Sequence, residues 1–187
     1  MVSLLLAGIA FIVAIIFAFF IIIYNTLIAL RNSIGRASAD IDVLLEKRHD
    51  LIGRLEDVVK GYSNYERTVL VQVTGLRTKW MAVQNGSINE KMEQSNQISQ
   101  MIKTIFADVE NYPDLKADKN FLDLQSAIYE IESQIADRRE FYNDSVYELN
   151  TKIQQVPYNL VAGKLGFYVF QFLQVPDDAK TPVNVDA

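Results

Sequence analysis

One histidine and no cysteine stand among 187 residues, and these two counts remove most site chemistry. Without thiols there are no disulfides, zinc–thiolate sites, iron–sulfur clusters or cysteine nucleophile. His49 lies in Lys47-Arg48-His49-Asp50, on a charged stretch. A metal site built on it needs two or three further ligands, all of them carboxylates from other segments. The simpler reading is a solvated or hydrogen-bonded imidazole. A Ser-His-Asp arrangement would have to use the same ring. Arg48 falls in phase with the apolar residues around it, and so does Arg138 or Arg139. An inward guanidinium requires a carboxylate, for which Asp42, Glu66 and Asp137 are the acids considered, and such a pair fixes register more readily than it does chemistry.

The remaining acids read as a solvated helix face, with i,i+4 pairs such as Glu56 with Lys60 and Asp50 with Arg54. The sequence holds no Walker A loop, G-x-G-x-x-G, G-x-S-x-G or H-E-x-x-H, and no Glu-x-x-His of the di-iron bundle type. No catalytic residue, cofactor or metal ligand is therefore expected. The net charge of −5 argues against a nucleic-acid partner, and Arg67 to Lys79 is too sparsely basic to alter that.

The elements that must position these residues are helices. Half the residues are hydrophobic while glycine and proline are scarce, which disfavours a turn-rich β fold. Apolar residues recur at alternating spacings of three and four in four series: Leu27 to Tyr62, Tyr65 to Val83, Ile88 to Val109, and Leu124 to Ile153. That is the stripe of an amphipathic helix, close to a heptad, so the class is all-α and coiled-coil-like packing is expected. Asn85-Gly86-Ser87 and Tyr112-Pro113-Asp114 mark turns, with Asp114 or Asp118 capping the next helix, and Val156-Pro157 closes the last long helix. Gly61 is ambiguous. Ser63-Asn64-Tyr65-Glu66 after it spells a capping box, yet the apolar phase passes through undisturbed. A turn at 61–63 gives helices of about 34, 21, 22 and 39 residues and an antiparallel up-and-down four-helix bundle. Three helices, one of them very long, is the alternative.

Ahead of the bundle, residues 2–23 carry no charge and only Ser3 as a polar group. A helical core of about 20 residues at about 1.5 Å each crosses a hydrocarbon layer of about 30 Å. No basic residue precedes this run, and it is longer than a signal-peptide core, so a transmembrane anchor over 1–24 is expected. Arg31 and Arg36 follow the span. The positive-inside rule then places the N-terminus outside and the bundle, 25–156, in the cytoplasm. Tyr24, Asn25 and Arg31 fall at the membrane interface. Residues 157–187 form an apolar segment and a frayed tail. In it Leu160, Leu165, Phe167, Phe170 and Phe172 either cover the end of the bundle or touch the membrane or a neighbouring subunit.

The order of these pieces resembles the LemA family of membrane proteins. The apolar span runs into Tyr24-Asn25, followed by Ile41-Asp42-Val43, Arg48-His49-Asp50-Leu51-Ile52, Val59-Lys60-Gly61-Tyr62 and Glu66. Later come Tyr112-Pro113-Asp114-Leu115-Lys116-Ala117, Asn120-Phe121, Phe141-Tyr142-Asn143, Asn150 and Pro157 through Phe167. Two positions depart from the family pattern, at Gly53-Arg54-Leu55 and at Tyr65. The resemblance implies an N-terminal anchor, a cytoplasmic helical bundle and no general enzymatic activity. A relative in magnetosome formation implies a leaning toward membrane organisation. The expected function is a non-enzymatic, membrane-anchored scaffold or interaction protein. Its expected partners are the lipid bilayer, further copies of itself and other membrane proteins. The alternative is a sensor or enzyme with a ligand or metal site inside the bundle.

Overall fold

The computed structural model describes residues 1–62, 67–83 and 85–174. Among these residues six helices follow in order: α1 Val2–Lys60, α2 Arg67–Val83, α3 Ile88–Val109, α4 Pro113–Lys116, α5 Lys119–Gln154 and α6 Asn159–Ala162. No strand occurs among the described residues. The chain separates into an anchor unit, 1–37 with 141–172, and a bundle unit, 38–140 with 173–187.

The breaks sit where the turn residues demanded them. At the end of α1 the amides of Gly61 and Tyr62 donate to the carbonyls of Val58 and Val59 at 3.1 and 3.0 Å, tightening the last turn. A Cβ at Gly61 would lie 3.2 Å from the Val58 carbonyl oxygen, so glycine fits this exit closely. The chain thus turns after Lys60, as the four-helix reading requires. The capping box at Ser63 to Glu66 lies outside the described residues. Ser87 caps α3 in full: its side chain accepts from the Glu90 amide, and the Glu90 side chain returns to the Ser87 amide. The region expected as one helix from Asp114 is divided. Pro113, whose missing N–H costs nothing in a first turn, opens the four-residue α4. The Asp118 carboxylate then accepts from the Phe121 amide at 2.9 Å and starts α5. Helix α5 stops at Gln154, just ahead of Val156-Pro157.

In the bundle unit each helix buries the centre of its stripe: Ile41, Leu45, Ile52 and Leu55 on α1, Val69, Val73, Leu76 and Trp80 on α2. Met92, Ile98, Ile102 and Ile105 do so on α3, and Phe121, Ile128 and Ile135 on α5. Phe106 and Phe121 meet edge to face, 5.9 Å between centroids. Cross-helix pairs fix the directions. Asp40 lies near Arg138 and Tyr62 bonds Asp118, so α5 runs antiparallel to α1. Gln72 bonds Asp108 and Lys79 bonds Gln97, so α2 and α3 are antiparallel as well. The result is the expected up-and-down arrangement.

The anchor unit is organised differently. Residues 1–22 are exposed throughout, and burial on α1 begins sharply with Ile23 and Leu27. Helix α1 passes residues 24 and 25 without a break. The unit's own core comprises Ile23, Leu27, Ile34, Tyr142, Val146, Leu149, Ala162 and Phe167. After α6 the chain turns at Gly166, where φ is +77°. The Phe167 amide donates to the Ala162 carbonyl at 3.0 Å and the Gly166 amide to that of Gly163 at 3.3 Å. These are the two bonds of a Schellman cap, and the left-handed position is one that glycine occupies without penalty. The cap throws Phe167 inward, onto the same core as Ala162.

Candidate functional site

Within the bundle unit the polar side chains converge on Arg48, which is 1% exposed. Its Nη1 donates to Glu132 Oε1 at 2.8 Å and to Ser99 Oγ at 3.1 Å, with the Ser95 carbonyl at 3.5 Å. Its Nη2 donates to Ser95 Oγ at 3.0 Å. The Ser99 hydroxyl donates in turn to Glu132 Oε2 at 2.5 Å. Every partner has a structural reason to be there. Ser95 and Ser99 are one turn apart on the buried face of α3, and Glu132 sits between the buried Ile128 and Ile135 of α5. Three helices are thereby joined by one planar guanidinium, whose fork matches a carboxylate and two hydroxyls at once.

Sequence reasoning anticipated an inward Arg48 but not this partner. Asp42 pairs instead with Lys91 at 2.9 Å, Asp137 is exposed beside Arg138, and Glu66 lies outside the described residues. The missed signal was a carboxylate in phase with the α5 stripe: Glu132 stands four residues after Ile128 and three before Ile135. Glu56 also departs from the solvated-face reading. It is buried and takes Lys60 at 3.0 Å and Arg77 at 3.4 Å. Hydrogen bonding from Lys60, ahead of Arg77, holds its carboxyl below the ordinary value despite the burial that opposes this. The amide of Phe121 and the hydroxyl of Tyr62 lower Asp118 in the same manner.

His49 is half-buried and tilts against Trp80, ring centroids 6.2 Å apart. Its buried Nδ1 has no hydrogen-bond partner, and among the described residues no three His, Asp or Glu side chains gather to hold a metal ion. Shallow clefts indent the described part of the unit. One of about 320 Å³ is lined by Asp40, Lys47, Gln134 and Arg138, and one of about 490 Å³ by Gln72, Lys79, Gln97 and Gln100.

The other residues singled out from sequence have these places. Tyr112 is half-buried ahead of the exposed Pro113, and Phe121 is 1% exposed in the bundle core. In the anchor unit Tyr142 is buried, which pushes its hydroxyl pKa up, and Asn143 is half-buried. Asn150 is buried and uses both ends of its amide: Nδ2 donates to the Phe170 carbonyl and Oδ1 accepts from the Phe170 amide, each at 2.9 Å. Pro157 is half-buried, with a cis bond from Val156. Tyr24 is partly exposed and meets the Phe167 ring edge-on at 6.4 Å, Arg31 lies over that ring at 5.8 Å, and Asn25 is exposed. Phe167 is buried and Phe170 half-buried, whereas Leu160, Leu165 and Phe172 face outward.

The sequence profile described as the LemA family matches residues 37–186. Protein LemA of Metamycoplasma hominis is 28% identical over 160 residues, covering 86% of this chain and 73% of that protein. Magnetosome protein MamQ 2 of Paramagnetospirillum magneticum is 22% identical over 184 residues, covering 86% and 68%. Magnetosome protein MamQ of Magnetospirillum gryphiswaldense is 18% identical over the same length and shares.

Proposed function

For a chain that belongs to the LemA family and is membrane-associated, we propose a non-catalytic scaffold that self-associates at the cytoplasmic face of the membrane. One observation carries the reading. Arg48, the most deeply buried charged group among the described residues of the bundle, is engaged through both terminal nitrogens by Glu132, Ser95 and Ser99, and Ser99 in turn by Glu132. A cluster closed on itself sets the register of three helices, and its own hydroxyls and carboxylate are committed to that pairing.

Self-association is favoured by the anchor. Residues 2–22 present an apolar helix face all round, and confinement to a bilayer raises the effective concentration of copies without any new contact. Arg31 and Arg36 just beyond the apolar run support a cytoplasmic bundle. Three relatives bear the name of a magnetosome protein, which supports a role in membrane organisation, with other membrane proteins as further partners.

The test is the particle mass of the full chain in lipid nanodiscs over a hundredfold range of protein-to-lipid ratio. A discrete multiple of the protomer, populated increasingly with density, is expected. A strictly monomeric particle over the whole range would overturn the proposal.

A further inference from the structure

We propose that the apolar C-terminal segment, residues 156–172, is a second membrane contact, lying at the headgroup–acyl boundary of the bilayer that holds the first part of α1. Four observations within the anchor unit carry this. The first is height. The exposed apolar run of α1 ends at Ile22, and Phe167 lies against Tyr24 and Arg31. Tyr24 and Arg31 lie two and nine residues beyond Ile22, about 3 and about 14 Å along the helix, so Phe167 is held within about three turns of the end of the run. The second is the direction of its side chains. Phe167 points inward, while Tyr168, Val169 and Phe172 are 72, 65 and 50% exposed. Leu160 and Leu165 are exposed as well, a density of outward apolar groups that water does not favour.

The third observation is the backbone. A non-helical segment entering an apolar layer must have its polar backbone groups paired. The Schellman bonds pair the amides of Gly166 and Phe167, and the two-ended amide of Asn150 pairs both backbone groups of Phe170, from within the protein. The fourth is charge. Residues 156–172 contain no acid and one base, Lys164, and Lys152 lies over the Tyr158 ring at 4.9 Å. With Arg31 these bases suit anionic phospholipid headgroups, and the Tyr168 ring suits the interfacial layer that aromatic residues with a polar tip prefer.

The inference rests on α1 being in lipid, and the experiment reads that premise separately. The chain has no cysteine, so single spin labels can be placed directly on the full-length protein. Tyr168→Cys and Val169→Cys are the test positions, with Leu165→Cys and Phe172→Cys as replacements for any variant whose helical circular dichroism departs from the parent. Ile12→Cys reports the lipid interior. Glu46→Cys, about 33 Å beyond Tyr24 along α1, reports water. In liposomes of phosphatidylcholine and phosphatidylglycerol, relaxation by oxygen is compared with relaxation by a water-soluble nickel chelate.

The expected oxygen-to-nickel ratio at Tyr168→Cys and Val169→Cys is several-fold above that at Glu46→Cys and below that at Ile12→Cys. Equality with Glu46→Cys would overturn the proposal. Shielding from both relaxants with spin–spin broadening would also overturn it, in favour of cover by a second copy. A water-like value at Ile12→Cys would instead remove the anchor itself.

Discussion

In the bundle unit the buried Arg48 meets polar side chains of two other helices, whereas in the anchor unit the buried Asn150 faces the backbone. Arg48, Glu132, Ser95 and Ser99 satisfy each other across three helices, so a slip of one helix by a turn leaves a charge without its partner. Asn150 holds an irregular segment in place, and that frees the neighbouring apolar side chains to point outward. Polar groups thus select a packing register in one unit and a backbone path in the other.

Breaking the register is expected to have the largest effect. Arg48→Met should cost about 3 kcal/mol of stability, because the Glu132 carboxylate and two serines lose their shared donor. Urea unfolding of the detergent-solubilised chain, followed by circular dichroism, measures this. Arg48→Met combined with Glu132→Leu should recover at least half the loss if the penalty comes from an orphaned charge. No recovery would show that packing volume at Arg48, and not pairing, is what matters.

The corresponding cut in the anchor unit is Phe167→Ala, which empties a buried site between Tyr24 and Arg31. About 3 kcal/mol is expected from lost burial and the residual cavity. Hydrogen exchange should localise the effect to the anchor unit, with the amide of Phe170 among the first to lose protection. Gly166→Ala places a Cβ at a left-handed position and should cost about 1–2 kcal/mol by the same readout. Space is not the issue there, since nothing lies within 4 Å of the added atom. Asn150→Ala should cost a similar amount through two lost hydrogen bonds to Phe170.

How far the sequence could be read follows the same division. Spacing alone located the stripes, since a helix repeats its buried face whatever it packs against: Val69, Val73, Leu76 and Trp80 were legible that way, and Asn85-Gly86-Ser87 marked the turn, though the box that Ser87 closes with Glu90 was not read. Arg48 could be recognised as inward because it interrupted a stripe. Its partner could not be chosen, because the relative register of α1 and α5 is a tertiary fact, and Glu132 was read as one more exposed acid. The four-residue α4 ahead of α5 was not read, for a local reason: Asp114 and Asp118 both stood open as caps, and spacing does not record that Asp118 takes the Phe121 amide. In the C-terminal segment composition announced apolar character, but only the turn at Gly166 decides that Phe167 goes in and Tyr168 out.

The smallest effect expected is a pH dependence that sharpens the account of Glu56. Its carboxyl titrates below its ordinary value of 4.5 in the folded chain, with the Lys60 hydrogen bond as the main cause. Its stabilising contribution is therefore complete above that value and is lost as pH falls through the lowered one. The midpoint difference between the parent and Glu56→Gln should be constant from neutral pH to about 5.5 and shrink toward zero in stronger acid. A difference that grows on acidification would reverse the assignment.

The claim on which the rest depends is that the outward-facing apolar run of α1 is covered by lipid, and cysteine reactivity tests it most directly. In native membranes, Ile12→Cys, Ile16→Cys and Phe20→Cys should resist a charged maleimide until detergent is added, while Asn25→Cys and Asn32→Cys react. The change should fall at Ile23, where burial inside the protein begins. Equal reactivity on both sides of Ile23 in intact membranes, or a mature chain that has lost its first two dozen residues, would contradict the account.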